Sequence, residues 1–263
     1  VIFDTYLLRW DLVPDGEPIV THSSNLLPVR YKNSPAILKI ALDDEERQGC
    51  HVMMWWNGMG AAPVLEHDDN AILLERATGM RSLKHMAHNG RDDEASKIIC
   101  AVAETLHHFK QPFPPQLMPL KERFKELFPA AHKHGGVFAH AAKITEELLS
   151  SQLDITVLHG DLHHENVLDF NGKWLAIDPK GLLGDRGFDF ANIFCNPDIE
   201  MASQPGRLEK QAFIVAEAAN IDYKRLLKWI FAYASLSAVW ILEDGDAPDL
   251  PLGVAMQAEK SLK

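Results

Sequence analysis

Three cysteines in 263 residues, Cys50, Cys100 and Cys195, are too scattered and too odd in number to frame the chain with disulfides. No Cys-x-x-Cys pair occurs, so a zinc ribbon or dithiol redox centre is excluded and a reducing, cytoplasmic setting is expected. A basic surplus is missing too: 26 Lys and Arg stand against 37 Asp and Glu, a formal charge of −11. Nucleic acid, whose phosphates demand a basic face, is therefore not an expected partner, whereas a cationic small molecule would suit so acidic a protein. No internal repeat, low-complexity tract or secretory leader is legible. The longest apolar run, "WIFAYASLSAVWIL" at 229–242, is too short to span a bilayer. It reads as a buried helix, with no membrane contact expected. The length suits one large domain or two modest lobes, each with its own core, in a chain expected to be a monomer.

The first 75 residues read as strands with one helix. "LLPVRY" and "PAILKI" flank the turn residues Lys32, Asn33 and Ser34 and predict a hairpin. Asp43 and Asp44 can cap a helix from about Glu45 to Trp56, which ends at "NGMG". "APVLE" and "AILLE" around "HDDN" predict two further strands. After "ERATGM" helical spacing takes over, with Ile98, Val102, Leu106 and Phe109 on one face of 93–109. Leu120, Phe124, Leu127 and Phe128 repeat the pattern, and further helices are predicted at 137–151, 207–219 and 223–243. The one strand-rich stretch among them is "ITVLHG" followed by "VLDF-NGK-WLAID". The expected fold class is α+β and bilobal. A small antiparallel sheet with one helix fills residues 1–76, and a larger, mostly helical lobe fills 77–263.

The chemistry concentrates in "VLHGDLHHENVL", residues 157–168. "NGK" is a hairpin signal. A three-residue loop pairs Phe170 with Trp174 and sets Asn166 opposite Asp178; a two-residue loop sets Asn166 opposite Ile177. Either register brings an amide oxygen and a carboxylate within reach of one cation, and the three-residue register suits a shared ion better. An Asn and an Asp with room for water and phosphate suit Mg²⁺. Asp161 stands five residues before Asn166. His-x-Asp-x-x-x-x-Asn, then a hairpin and an Asp, is the catalytic-loop pattern of kinase-fold phosphotransferases. There the first Asp takes the hydroxyl proton, while the Asn and second Asp hold metal on the phosphates of ATP.

Such an enzyme needs a strand lysine held by a helical glutamate. "AILKI" supplies Lys39, and Glu46 opens the predicted helix on one face with Gly49, Cys50 and Met53; Glu45 is the rival partner. A metal-dependent phosphohydrolase would instead use His159, Asp161, His163 and His164 as ligands. It lacks a second His/Asp motif and leaves Asn166, Asp178 and Lys39 without a purpose. His159 reads better as a structural residue bonding loop backbone, and His163 and His164 as packing.

"LHGDLHHEN", "WLAIDPKGLLGDRGFDFANIFCNP" and "WWNGMGAAPVLEHDDNAILLERA" resemble the aminoglycoside/hydroxyurea antibiotic resistance kinase family, which includes streptomycin 6-phosphotransferases. The resemblance implies Asp161 as catalytic base, Asn166 and Asp178 as magnesium ligands, and Lys39 paired with Glu46 on the nucleotide phosphates. It aligns "LLERA" with the hinge, so the backbone of Glu75 and Ala77 should bond adenine. It also matches Asp189 of "GFDFAN" to an acid that holds the catalytic loop by its amides, a structural role. Departures exist. No G-x-G-x-x-G turn is present, and "THSSNLL" offers Ser23, Ser24 and Asn25 in its place. Pro179 follows the metal Asp, and Gly160 stands where protein kinases have arginine; both point to a small-molecule substrate.

The implied activity is ATP- and Mg²⁺-dependent phosphorylation of a hydroxyl on a small acceptor, with a streptomycin-like aminoglycoside expected first. Glu243, Asp244 and Asp246 of "LEDGDAPD" are candidate carboxylates for a cationic acceptor, set against a plain solvated helix end. Trp240 could pack on a sugar or simply lie in the core. Alternatives are a kinase of another alcohol, sugar or hydroxyurea-like compound, the phosphohydrolase, and a non-catalytic nucleotide-binding module.

Overall fold

The computed structural model describes residues 2–109, 112–114 and 116–263. Val1, with which the expected N-terminal lobe begins, lies outside them. After a short helix α1 (Asp4–Arg9), strands β1 (Leu12–Pro14), β2 (Ile19–Val20), β3 (Ser24–Tyr31) and β4 (Ser34–Ala41) lead into helix α2 (Asp44–Trp56). Strands β5 (Val64–His67) and β6 (Ala71–Glu75) complete an antiparallel sheet of order β1-β3-β4-β6-β5, with β2 on the free edge of β3. Lys32 and Asn33 both take positive φ, 49° and 67°. This left-handed pair makes the tight β3–β4 turn that matches strand twist.

Strand alternation decides which side chains face the catalytic lobe. On β4, Ala36, Leu38 and Ile40 bury outward against Trp10, Val29 and Leu73. Ile37, Lys39 and Ala41 therefore point inward. Asp43 caps α2, its carboxylate accepting the Glu46 amide at 2.8 Å. Glu46, Gly49, Cys50, Met53 and Trp56, spaced three and four apart, form the buried face.

Beyond β6 the chain runs through α3 (Leu83–Met86), a kinked turn, α4 (Asp92–His107), β7 (Met118–Pro119), α5 (Leu120–Arg123), α6 (Leu127–His134) and α7 (Gly136–Ser150). It continues through β8 (Ile155–Leu158), β9 (Val167–Phe170), β10 (Lys173–Ala176), β11 (Leu182–Asp185) and a 3-10 segment, Arg186–Cys195. Four helices close it: α8 (Ile199–Ala202), α9 (Arg207–Ala219), α10 (Tyr223–Glu243) and α11 (Asp249–Ser261). The helix expected through Leu120 and Phe128 is two short ones, broken at Phe124. Strands β7 and β11 and helix α11 were not anticipated.

At 21 residues, α10 is long and apolar enough to cross a membrane, which corrects the length reading of its apolar run. Two thirds of its most apolar window is instead buried in the protein, 67%. Trp229, Ile230, Phe231 and Leu236 are among its fully buried side chains, so it is the central helix of the C-terminal lobe.

The lobes are stitched together at several points. Ala62 donates to the Ala176 carbonyl and Ala176 to that of Gly60, each at 2.9 Å. Past the hinge, Gly79 donates to the Asp169 carbonyl at 2.9 Å, and Arg81 holds the Asp169 carboxylate through two nitrogens at 2.8 and 2.9 Å. One apolar cluster runs from Met53, Trp56 and Leu74 into the helical core.

Deeper in that lobe, Arg207 on α9 grips Asp92 at the head of α4 with contacts of 2.7 and 3.2 Å, both side chains nearly buried. Burial would raise the Asp92 carboxyl; the His164 ring and the Arg207 guanidinium more than reverse this and hold it at about 2. The folded value lies below the unfolded one, so the stabilisation is complete above about pH 3.9 and fades as pH falls towards the folded value. Asp92→Ala would leave a buried guanidinium unpaired. It should lower stability by about 3–5 kcal/mol in denaturant titrations at neutral pH.

Candidate active site

Asn171 and Gly172, at φ 53° and 102°, form a two-residue loop, and Phe170 pairs with Lys173. The favoured three-residue register is thus not adopted, because an Asn-Gly left-handed pair fits the strand twist. Asn166 stands opposite Ile177, whose amide donates to the Asn166 carbonyl at 2.9 Å. Asp178 is one step further, where φ of 61° turns the chain back into the interlobe cleft. Asp tolerates this left-handed region better than most residues. Both predicted metal ligands line that cleft, which has a volume of about 470 Å³.

Asp161 is tethered on both carboxylate oxygens. Asn192 donates to Oδ1 at 2.7 Å; Asn166 Nδ2 donates to Oδ2 at 3.1 Å and to the Asp161 carbonyl at 2.9 Å. That use of Nδ2 leaves Asn166 Oδ1 without a partner among the described residues. An unpaired amide oxygen lining the same cleft as the Asp178 carboxylate is a donor set that suits a hard divalent cation. Burial pushes the Asp161 carboxyl above the ordinary aspartate range, against the pull of His163 and Lys180. Its side chain keeps 29% exposure, enough to meet an acceptor.

The histidines do not converge. His159 is fully buried, its Nε2 against the Ile177 carbonyl at 2.8 Å and its Nδ1 accepting the Asp161 amide at 3.2 Å. His163 Nδ1 accepts the Glu165 amide at 3.2 Å, and His164 turns away towards Asp92, 3.8 Å off. Burial holds all three below the usual imidazole range. Among the described residues no group of three or more His, Cys, Asp or Glu could hold a metal. Asp189 accepts the His159 and Gly160 amides at 2.9 and 2.7 Å and faces His107 Nε2 at 2.8 Å. It ties the loop from behind.

In the roof of the cleft, Lys39 Nζ contacts Glu46 Oε2 and Asp178 Oδ1. Burial would lower the Lys39 ammonium, but Asp178 and Glu46 outweigh it and raise it above its ordinary value. Glu46 and Asp178 are correspondingly held low despite burial, chiefly by Lys39. Glu46 is thus the partner and Glu45 is not: Glu45 pairs with Arg123 at 3.0 Å. Ser23 Oγ donates to Glu46 Oε1 at 3.2 Å, and the Ser23 amide has no partner among the described residues. The hydroxyl and amide of Ser24 are both engaged by Thr21, at 3.1 and 2.9 Å, which sets Ser24 aside as a phosphate donor. At the hinge the Glu75 amide is spent on the Pro63 carbonyl at 2.9 Å, so only its carbonyl could serve adenine. The Ala77 amide makes no bond among the described residues and lines the cleft.

The model of the aminoglycoside/hydroxyurea antibiotic resistance kinases matches residues 9–245. The chain belongs to that family. It is 48% identical over 243 residues to a streptomycin 3''-kinase of Klebsiella pneumoniae, covering 90% of this chain and 91% of that one. It is 31% identical to a streptomycin 6-kinase of Streptomyces griseus, over 94% of this chain and 84% of the relative. A thermostable mutant of the aminoglycoside phosphotransferase APH(4)-Ia, solved with ADP and hygromycin B, superposes with a TM-score of 0.67 at 15% identity, covering 99% of this chain and 96% of its own. A choline/ethanolamine kinase family protein of Mesorhizobium loti gives 0.69 at 14% identity, over 100% and 95%. The antiparallel sheet lobe on a helical lobe is therefore the fold of small-molecule kinases, and this kinase transfers phosphoryl groups from ATP to hydroxyls.

Several residues of the kinase site escaped sequence reasoning. Lys180, two residues past Asp178, reaches Glu46 Oε1 at 2.9 Å and Asp178 Oδ2 at 3.6 Å. Asn192, which orients Asp161, is itself braced by Asn196 at 2.9 Å. Arg123 lies 4.5 Å over the Trp240 ring, whose Nε1 donates to Glu126 at 2.8 Å. Trp240 is half-buried, neither core nor fully open, with Tyr233 edge-on at 6.5 Å. Glu243, the last residue of α10, and Asp244 and Asp246 just beyond it are exposed, and their side chains make no hydrogen bond or ion pair among the described residues. The structure does not bring them into the Asp161 network.

Proposed function

We propose that this kinase inactivates a streptomycin-like aminoglycoside by phosphorylating one hydroxyl with MgATP. The 48% identity to a streptomycin 3''-kinase across nine tenths of the chain carries the reading. It favours the 3''-hydroxyl over position 6, where the named relative stands at 31%. In the reaction the bond between the γ-phosphorus and the β,γ-bridging oxygen breaks and one to the acceptor oxygen forms. The acceptor proton passes to the Asp161 carboxylate, and ADP leaves. Asn192 and Asn166 aim that carboxylate. Asn166 Oδ1 and Asp178 would hold Mg²⁺, which when bound neutralises phosphate charge. Lys39, kept in place by Glu46, would grip the α- and β-phosphates, with the Ser23 amide as a further donor. The Glu75 carbonyl and Ala77 amide would frame adenine.

A cationic acceptor suits the −11 charge of the chain. We place it on the Asp161 side of the cleft, near the carboxylates of Glu45 and Glu126 that surround Arg123 and Trp240, rather than at the end of α10. The working form is a cytoplasmic monomer whose lobes divide at 76/77, acting on a small molecule and not on nucleic acid or membrane. A second reading, phosphorylation of a hydroxyurea-like compound, draws on 28% identity to a hydroxyurea phosphotransferase of Kitasatospora aureofaciens. An ATP-consumption assay across aminoglycosides and hydroxyurea separates the two. MgATP should raise the melting temperature by several degrees, and Asp178→Ala should abolish that rise. If the unmodified protein shows no nucleotide-dependent shift, the kinase reading of this cleft fails.

A further inference from the structure

The cleft contains one more ammonium than its architecture requires. Glu46 is fully engaged by Lys39 through Oε2 and by Ser23 through Oε1, yet Lys180 also points at Oε1, with a side chain only 15% exposed. Burying a second ammonium is costly, and a single lysine already fastens Glu46. The Lys180 backbone is fixed at both ends. Its amide donates to the His159 carbonyl at 2.7 Å, and the next carbonyl, of Gly181, accepts Gln48 Nε2 at 2.7 Å. Its position is therefore set jointly by the catalytic loop and α2.

Phosphoryl transfer spreads negative charge over the equatorial oxygens of the moving group, and catalysis depends on cations placed there in advance. The loop from Asp161 to Asn166 contains no Lys or Arg. His163 Nδ1 is occupied by the Glu165 amide, His164 is turned towards Asp92, and Arg123 is committed to Glu45. Lys39 reaches the cleft from the sheet side. Lys180 alone among these stands on the same short segment as Asp178 and is bonded to the residue two before Asp161. From this placement we infer that Lys180 is a catalytic residue: its ammonium leaves Glu46 when ATP binds and stands on the γ-phosphoryl oxygens through transfer. It neither gives nor takes a proton.

This inference rests on the kinase reading and is tested where that reading already holds, in protein that binds MgADP and turns over. Lys180→Met should lower kcat by about 10²-fold or more. It should weaken AMP-PNP binding by about tenfold while leaving ADP within a few-fold, since only the former has a γ-phosphate. A lysine that merely anchors α2 through Glu46 would act on the Lys39 grip and weaken both nucleotides alike. Lys180→Gln, which keeps a donor for Glu46, gives the same comparison in a variant less prone to misfold, and Lys180→Arg should recover part of kcat. Equal weakening of ADP and AMP-PNP, or a kcat close to that of the parent in Lys180→Met, would overturn the assignment.

Discussion

Asp161→Asn should bind MgADP much as the parent does and turn over about 10²–10⁴-fold more slowly, the usual worth of a positioned general base. The proposed metal ligands explain the retention: Asn166 Oδ1 and Asp178 are untouched by the change. Part of the loss is geometric. Asp161 accepts from Asn192 and Asn166 on separate oxygens, and an amide would turn an NH₂ towards one of these donors. Single-turnover rates beside calorimetric nucleotide affinities separate the two effects; equal loss in both would mean that Asp161 shapes the nucleotide site instead. The acid limb of the parent's kcat/KM profile supplies an independent check. Burial raises the Asp161 carboxyl, and a base must be ionised. Activity should therefore fall, as pH is lowered, at a value above the ordinary aspartate figure of about 3.9.

Gly49→Ala should lower both stability and nucleotide affinity, although alanine is worth roughly 1 kcal/mol over glycine within a helix. A Cβ at Gly49 would lie 2.1 Å from the Pro179 carbonyl oxygen. That oxygen is main chain, flanked by Asp178 and Lys180, and cannot swing aside as a side chain would. Overpacking of this kind costs about 1–3 kcal/mol, so the steric loss exceeds the helical gain. The melting temperature should fall, and MgADP affinity should drop by about tenfold as Glu46 moves away from Lys39. Gly253→Ala on α11 is the control: its Cβ would meet nothing within 4 Å, and it should leave stability unchanged or raise it slightly.

What could be read from sequence was what local spacing encodes. Lys39 was legible because it stands on the strand before the helix that a kinase fold requires, and Glu46 because helical spacing puts it with Gly49 and Met53. Asp161, Asn166 and Asp178 fall within eighteen residues, close enough for hairpin geometry to relate them. The register was misjudged because it turned on whether Lys173 belonged to the loop or the strand, a one-residue choice. Lys180 and Asn192 stand inside motifs yet carry no sign of a role there, and Arg123 falls between the apolar positions of a helical pattern. Their partners lie 134, 31 and 78 residues away, and no periodicity reports such meetings. Ser24 looked available in a polar turn, where composition cannot show that Thr21 takes both its hydroxyl and its amide. The acids at the C-terminal end of α10 stand out as a charge run, but charge runs mark solvent more often than ligands.

The contact between Gly49 and Pro179 also bears on control. Kinases that are switched on and off commonly do so by swinging the helix whose glutamate meets the strand lysine, which requires two packings of similar energy. Here α2 rests directly on main chain at Pro179, is bonded at Gln48 to Gly181, and is paired through Glu45 with Arg123 of α5. Such a helix has nowhere comparable to go. Swinging this helix would break all three contacts together, so the packing works against control by helix displacement.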